Sequence, residues 1–374
     1  MNIKRIYFLD SLRGIAAVTV VVAHLAGSLV VESFPKDIFQ SFGRNAVVLF
    51  FILSGTALSM SLQKNNRMTL KVYTSYIVKR VCRIYLPFFI IIILSYCLFL
   101  TLQPQYIEGL SDWFNAVGTN VSMNTLMDNI LMSGSHVGKL DPVIWSLIVE
   151  MRVSIIFPIL FFFLRKMSWK VLLLSAGTAF MGGTGILFII GQKFLIGQTI
   201  FHIGFFILGV GIFLHQSQLQ VFIVKAKVEI LATSLVLYLH VMFLNIMGLG
   251  NIQVVSDVLE GLGAVGILLV CYNSNRLQRG LNRPLYRTLG KYSFSIYLVH
   301  CIVFIPLIHI LYPYNFTFLA MEGMSIPLIF IFAAIVYWSI EKPSQALGRL
   351  IGSNIEARMA VSGNLMKGRE KFGR

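Results

Sequence analysis

The chain has 374 residues, 57% of them hydrophobic and 12% charged, and a mean hydropathy of +0.79. Soluble domains carry about 25% charge, so a water-soluble, disordered or fibrous protein is excluded and a polytopic membrane protein is indicated. The net charge of +16 reads first as topology, because Lys and Arg collect in cytoplasmic loops. Long apolar runs and only ten prolines favour helices over a β-barrel, whose strands alternate apolar and polar residues. Four cysteines (Cys82, Cys97, Cys271 and Cys301) fall in or beside apolar runs, without metal-ligand spacing or a disulfide framework.

Apolar runs of about 20 residues predict an all-α protein with ten spanning helices. They lie at about 8–31, 43–62, 83–102, 143–164, 171–190, 197–215, 228–247, 253–272, 292–312 and 320–340. With the N-terminus in the cytoplasm, 25 Lys and Arg fall in inner segments and four in outer ones. That bias predicts that both termini are cytoplasmic. It also absorbs most of the positive charge, so the lipid bilayer is the expected partner and nucleic acid is not. The layout divides into a transmembrane domain, 1–345, and a basic cytoplasmic tail, 346–374, expected to be flexible and partly helical. The longest outer loop, about 103–142, holds Glu108, Asp112, Trp113, Asp128, His136 and Asp141. Loops of that length are often functional.

Ionisable groups at bilayer depth are costly and mark function by default. The first helix carries Asp10 and Arg13, three apart on one face, and His24 about 16 Å further along. The pair reads either as a snorkelling ion pair or as functional groups. His24 reads either as a packing histidine or as a general base. Glu150 on the fourth helix is at a depth similar to that of His24, and a carboxylate bonded to imidazole would fix its tautomer. The other reading pairs Glu150 with Arg152, which residues two apart disfavour, or with another helix's polar group, and Arg152 itself reads as a helix–helix ion-pair partner. Arg80 and Arg83 are expected to share one face, either as a phosphate clamp or as a plain positive-inside anchor. Tyr297 and His300, three apart, point to one place. Glu341 reads either as functional or as a solvated carboxylate at the inner surface. Ser54-Gly55 suits close helix packing, and His202, His240 and His309 read as packing residues. No metal site is expected.

Six separated motifs resemble acyltransferase family 3, which includes bacterial O-antigen, nodulation-factor and peptidoglycan O-acetyltransferases. They are Asp10-x-x-Arg13-Gly14 followed by His24, FFILSG at 50–55, Arg80-x-x-Arg83 with Tyr85 and Pro87, Trp145-Ser146-Leu147-x-x-Glu150, the Gly-Lys…Tyr-Leu-x-His stretch at 290–300, and Glu341-Lys342-Pro343. The resemblance implies an acyl-CoA donor, most often acetyl-CoA, taken from the cytoplasm of a bacterium. It implies a hydroxyl acceptor on a lipid-linked or exported glycan such as O-antigen, and a place in the inner membrane. Arg13, Arg80 and Arg83 would then hold the CoA phosphates, with Tyr297 and His300 in the donor pocket. His24 would be the base or the acyl carrier, Glu150 would orient it, and Asp10 would fix Arg13. The competing class is a proton-coupled transporter without covalent chemistry.

Overall fold

The structure, a computed structural model, describes residues 6–28, 36–191, 195–250 and 252–372. Among these, ten helices are long and apolar enough to cross a membrane, and no strand occurs. They are α1 (Tyr7–Ser28), α2 (Lys36–Leu62), α3 (Leu70–Leu102), α4 (Ile144–Leu164), α5 (Trp169–Ile190), α6 (Ile196–Lys225), α7 (Lys227–Ile246), α8 (Gln253–Tyr272), α9 (Pro284–Leu311) and α10 (Phe318–Val336). All ten coincide with predicted runs. α3 starts earlier than expected because its first three turns are polar: Thr69 caps the helix, and Lys71, Lys79 and Arg80 dilute the apolar signal. α9 likewise begins at Pro284, whose fixed φ suits a first turn.

α1, α2, α6 and α9 form the buried centre, filled by Phe51, Phe201, Phe205, Phe206 and Phe304. α5 and α7 are peripheral and expose large apolar side chains such as Leu174, Met181, Phe188 and Val236, as lipid-facing helices do. Glycines set the closest approaches. A Cβ on Gly14 would lie 2.4 Å from the Gly290 nitrogen, and one on Gly290 would lie 2.4 Å from the Asp10 carbonyl oxygen. Parallel α1 and α9 therefore touch backbone to backbone. Gly55 of α2 abuts the Phe206 backbone of α6 in the same way, so the packing reading holds for that glycine.

The chain beyond α10 passes through a π turn (Tyr337–Glu341) into α11 (Lys342–Phe372). The tail, expected to be partly helical, is helical as far as Phe372, and its first half packs against α3. Gly348 lies against Cys82 and Gly352 against Lys79, while Glu356 accepts bonds from Ser75 Oγ at 2.5 Å and Lys79 Nζ at 2.7 Å.

The long segment between α3 and α4 packs across the end of the bundle where α1 finishes. It contains two short helices, Asp112–Ala116 and Met123–Ile130. Trp113 Nε1 donates to the Gly27 carbonyl at 3.0 Å and Ser95 Oγ to the Leu140 carbonyl at 2.6 Å. Arg152 reaches from α4 into this segment. It donates to the Met132 and Ser133 carbonyls at 2.8 and 2.9 Å and so pins this segment to α4.

Candidate active site

The Gly14–Gly290 contact sets the register of α1 against α9, and ten residues beyond each glycine stands a histidine. His24 Nδ1 lies 3.1 Å from His300 Nε2. Backbone carbonyls dictate the tautomers, because a carbonyl can only accept. His300 Nδ1 donates to the Tyr297 carbonyl at 2.8 Å, which leaves Nε2 as a lone pair. His24 Nδ1 faces both the Val20 carbonyl at 3.1 Å and that lone pair, so it too bears hydrogen. His24 Nε2 is then an unprotonated nitrogen without a partner among the described residues. Trp113 meets the His24 ring edge to face, with centroids 5.4 Å apart. His300 is fully buried, whereas His24 is half-buried and lines a cavity. His24, His300 and Cys301 also place three donor atoms within 4.8 Å of one another, close enough to share a metal ion.

Glu150 does not bond His24, contrary to the expectation from depth. It accepts from Arg80 Nη2 at 2.9 Å and from Ser54 Oγ at 3.1 Å. Arg80, 8% exposed, also donates to Ser154 Oγ at 2.8 Å, so it is a partner to Glu150 and not half of a free clamp. Arg80 and Arg83 line one cavity together, as a shared face would have them. Val81–Tyr85, directly after Arg80, is a π turn, which winds more widely than an α-helix. Arg83 stays exposed and lines two cavities. Arg13 donates to the Leu53 carbonyl at 3.1 Å and sits 3.7 Å from Asp10. Asp10 is fourteen residues from His24, about 21 Å along α1. It positions Arg13 and does not touch the dyad. Glu341 is not a solvated surface carboxylate: it is 4% exposed and accepts from Ser295 Oγ at 2.5 Å and Gln345 Nε2 at 2.9 Å.

Three cavities follow one another along α1. The first, about 970 Å³, lies where α1 begins. Its walls carry seven Lys and Arg side chains, among them Arg13, Arg83, Arg287, Lys291, Lys342 and Arg349, against two acids, Asp10 and Glu341. The second, about 270 Å³, shares Arg13, Arg83 and Ser293 with it and adds Arg80, Glu150 and Ser54. The third, about 580 Å³, shares Val47 and Tyr297 with the second and is lined by His24. Tyr297 stands at that second junction, its hydroxyl 2.6 Å from Ser146 Oγ. It therefore borders both the second and third cavities, and is not a donor-pocket residue alone.

A family model described as an acyltransferase domain matches residues 6–341. The chain belongs to acyltransferase family 3. It is a multi-pass member of a family of membrane acyltransferases, and carriage without covalent chemistry is set aside on that ground. No curated protein and no solved structure matches it. α11 lies beyond the matched range, yet supplies Lys342, Gln345 and Arg349 to the basic cavity.

Sequence reasoning singled out His300 but missed it as the partner of His24. It also missed Asp257 and Glu260, buried on α8, and the Arg44 that binds Asp257. The signal was present: two carboxylates three apart in a spanning helix deserve the same suspicion as Asp10 or Glu150.

Proposed function

We propose that the protein moves an acyl group, most simply acetyl, from cytoplasmic acyl-CoA to a hydroxyl of a cell-surface or lipid-linked glycan at a bacterial inner membrane. The carrying observation is the series of cavities, with an excess of cations at one end and an unprotonated histidine nitrogen in the last chamber. CoA bears a pyrophosphate and a 3′-phosphate, and Arg, as a planar bidentate donor, suits both. The positive-inside charge distribution supports a cytoplasmic basic end.

The residues support a direct transfer. Arg13, Arg83 and their basic neighbours hold the phosphates, and the thioester extends through the second chamber past Tyr297. His24 Nε2 takes the proton of the acceptor hydroxyl as its oxygen bonds the acyl carbon. The carbon–sulfur bond then breaks, and the imidazolium returns the proton to the CoA thiolate. His300 Nε2, a neutral lone pair, steadies the imidazolium and fixes its ring, the task a carboxylate performs in hydrolase triads. The Arg80–Glu150–Ser54 cluster braces the second chamber.

The test uses inside-out vesicles from cells expressing matched amounts of wild type or His24→Ala, with labelled acetyl-CoA outside. Label should enter the glycan fraction with the wild type alone. Equal label with both proteins would remove His24 as the base, and label with neither would remove acetyl-CoA as the donor.

A further inference from the structure

The His24 cavity carries polar groups that the transfer step leaves unused. Asp257 grips Arg44 side-on, with Nε–Oδ1 2.5 Å and Nη2–Oδ2 2.6 Å. Two of the three guanidinium nitrogens are thereby engaged, and Nη1 is left as a donor. Glu260 is three residues further along α8 and lines the same cavity. It is 1% exposed, and its Oε2 has no hydrogen-bond partner among the described residues. A buried carboxylate oxygen left without a donor is costly, and a ligand hydroxyl in this cavity would supply one. Gln253, one turn before Asp257, lines the cavity and donates to Asp257 at 2.9 Å. Trp113 and Trp145 complete the wall with flat apolar faces.

Each feature limits the ligand. A donor at Arg44 beside an acceptor at Glu260 matches neighbouring hydroxyls, one accepting and one donating. The indoles suit the apolar face of a ring. Among the residues lining this cavity Arg44 is the one Lys or Arg, and Asp257 already neutralises it. A carboxylate or phosphate on the ligand would find no counter-charge. Trp113 touches His24, so a ring stacked there presents a hydroxyl to Nε2. We propose that this cavity is the acceptor site, and that the ring it acylates is uncharged and rich in hydroxyls. The proposal rests on the transferase reading above.

The experiment uses the full-length protein purified in detergent, acetyl-CoA, and two probes that differ in charge, phenyl β-glucoside and phenyl β-glucuronide. Acetyl-CoA affinity is measured separately by titration. The glucoside should be acetylated about tenfold faster than the glucuronide or better. Glu260→Ala should raise the half-saturating glucoside concentration about tenfold and leave the acetyl-CoA Kd unchanged. Glu260 accepts no hydrogen bond from the described residues, so this truncation orphans no hydrogen-bond donor among them. Should that variant fail to bind acetyl-CoA, the exposed Gln253→Ala decides the matter, with about a threefold rise expected from loosening Asp257 and Arg44. Equal use of both probes would overturn the proposal. So would unchanged glucoside saturation in the deciding variant, or acetylation of neither probe by protein that binds acetyl-CoA. Wild type that binds no acetyl-CoA would overturn the transferase reading as well, on its own readout.

Discussion

A histidine whose Nδ1–H is held by a carbonyl has only Nε2 to offer, and in His24 that atom is left free by its neighbours. His300 should therefore matter for rate and not for donor binding. His300→Phe is expected to slow single-turnover thiol release about a hundredfold with the acetyl-CoA Kd unchanged; a Kd that moves in step with the rate would make His300 a binding residue. Asp141, outside the spans, gives a pH test of stability. It is fully buried with one oxygen unpartnered, and burial pushes its pKa up to about 8, against one hydrogen bond from the Val143 amide. The folded protein then binds this proton more tightly than the unfolded chain, whose aspartates titrate near ~3.9. The contribution is complete below that value and is lost as pH rises through about 8, by up to about 1.4 kcal/mol per pH unit. The detergent-solubilised protein should melt lower at high pH than at neutral pH, and Asp141→Asn should flatten that dependence. At this scale residue identities were readable and partners were not. Depth along a helix puts His24 and Glu150 level, but rotation about the axis decides what each faces, and Glu150 faces Arg80.

Two elements carry predictions of their own. α1 and α9 meet where only hydrogen fits, because a Cβ at Gly14 or Gly290 would collide with backbone at 2.4 Å. Gly290→Ala should push the helices apart and separate the histidines. The expected result is a fall in kcat of about tenfold or more in protein that still inserts and binds acetyl-CoA; an unchanged kcat would mean that the contact does not set the dyad. α11 brings Arg349 to the basic cavity from outside the family-matched range. Arg349→Glu is expected to raise KM for acetyl-CoA about tenfold with little change in kcat, more steeply at low salt than at high salt. The spans themselves could be found from apolar run length, since bilayer thickness sets a minimum. The π turn at Val81–Tyr85 could not, because nothing in Val-Cys-Arg-Ile-Tyr announces a wider turn. It follows Arg80 directly and contains Arg83.

Across the whole molecule the three cavities lie in series, with Arg13 and Arg83 walls common to the first two and Tyr297 a wall common to the last two. One end is basic and the other holds His24, so under the proposed function donor and acceptor would have separate approaches. The motifs in sequence indicated both ends, the arginines and His24. The chambers between them are products of packing among α1, α2, α3, α4 and α9, which no local pattern encodes. Sidedness is the most direct test. Sealed vesicles of known orientation, one set inside-out and one right-side-out, receive labelled acetyl-CoA from the bulk phase, and label is followed into the glycan. Incorporation by inside-out vesicles alone, restored in the right-side-out set by permeabilisation, is the predicted result. Equal incorporation by intact vesicles of both orientations would contradict a donor cavity confined to the cytoplasmic face.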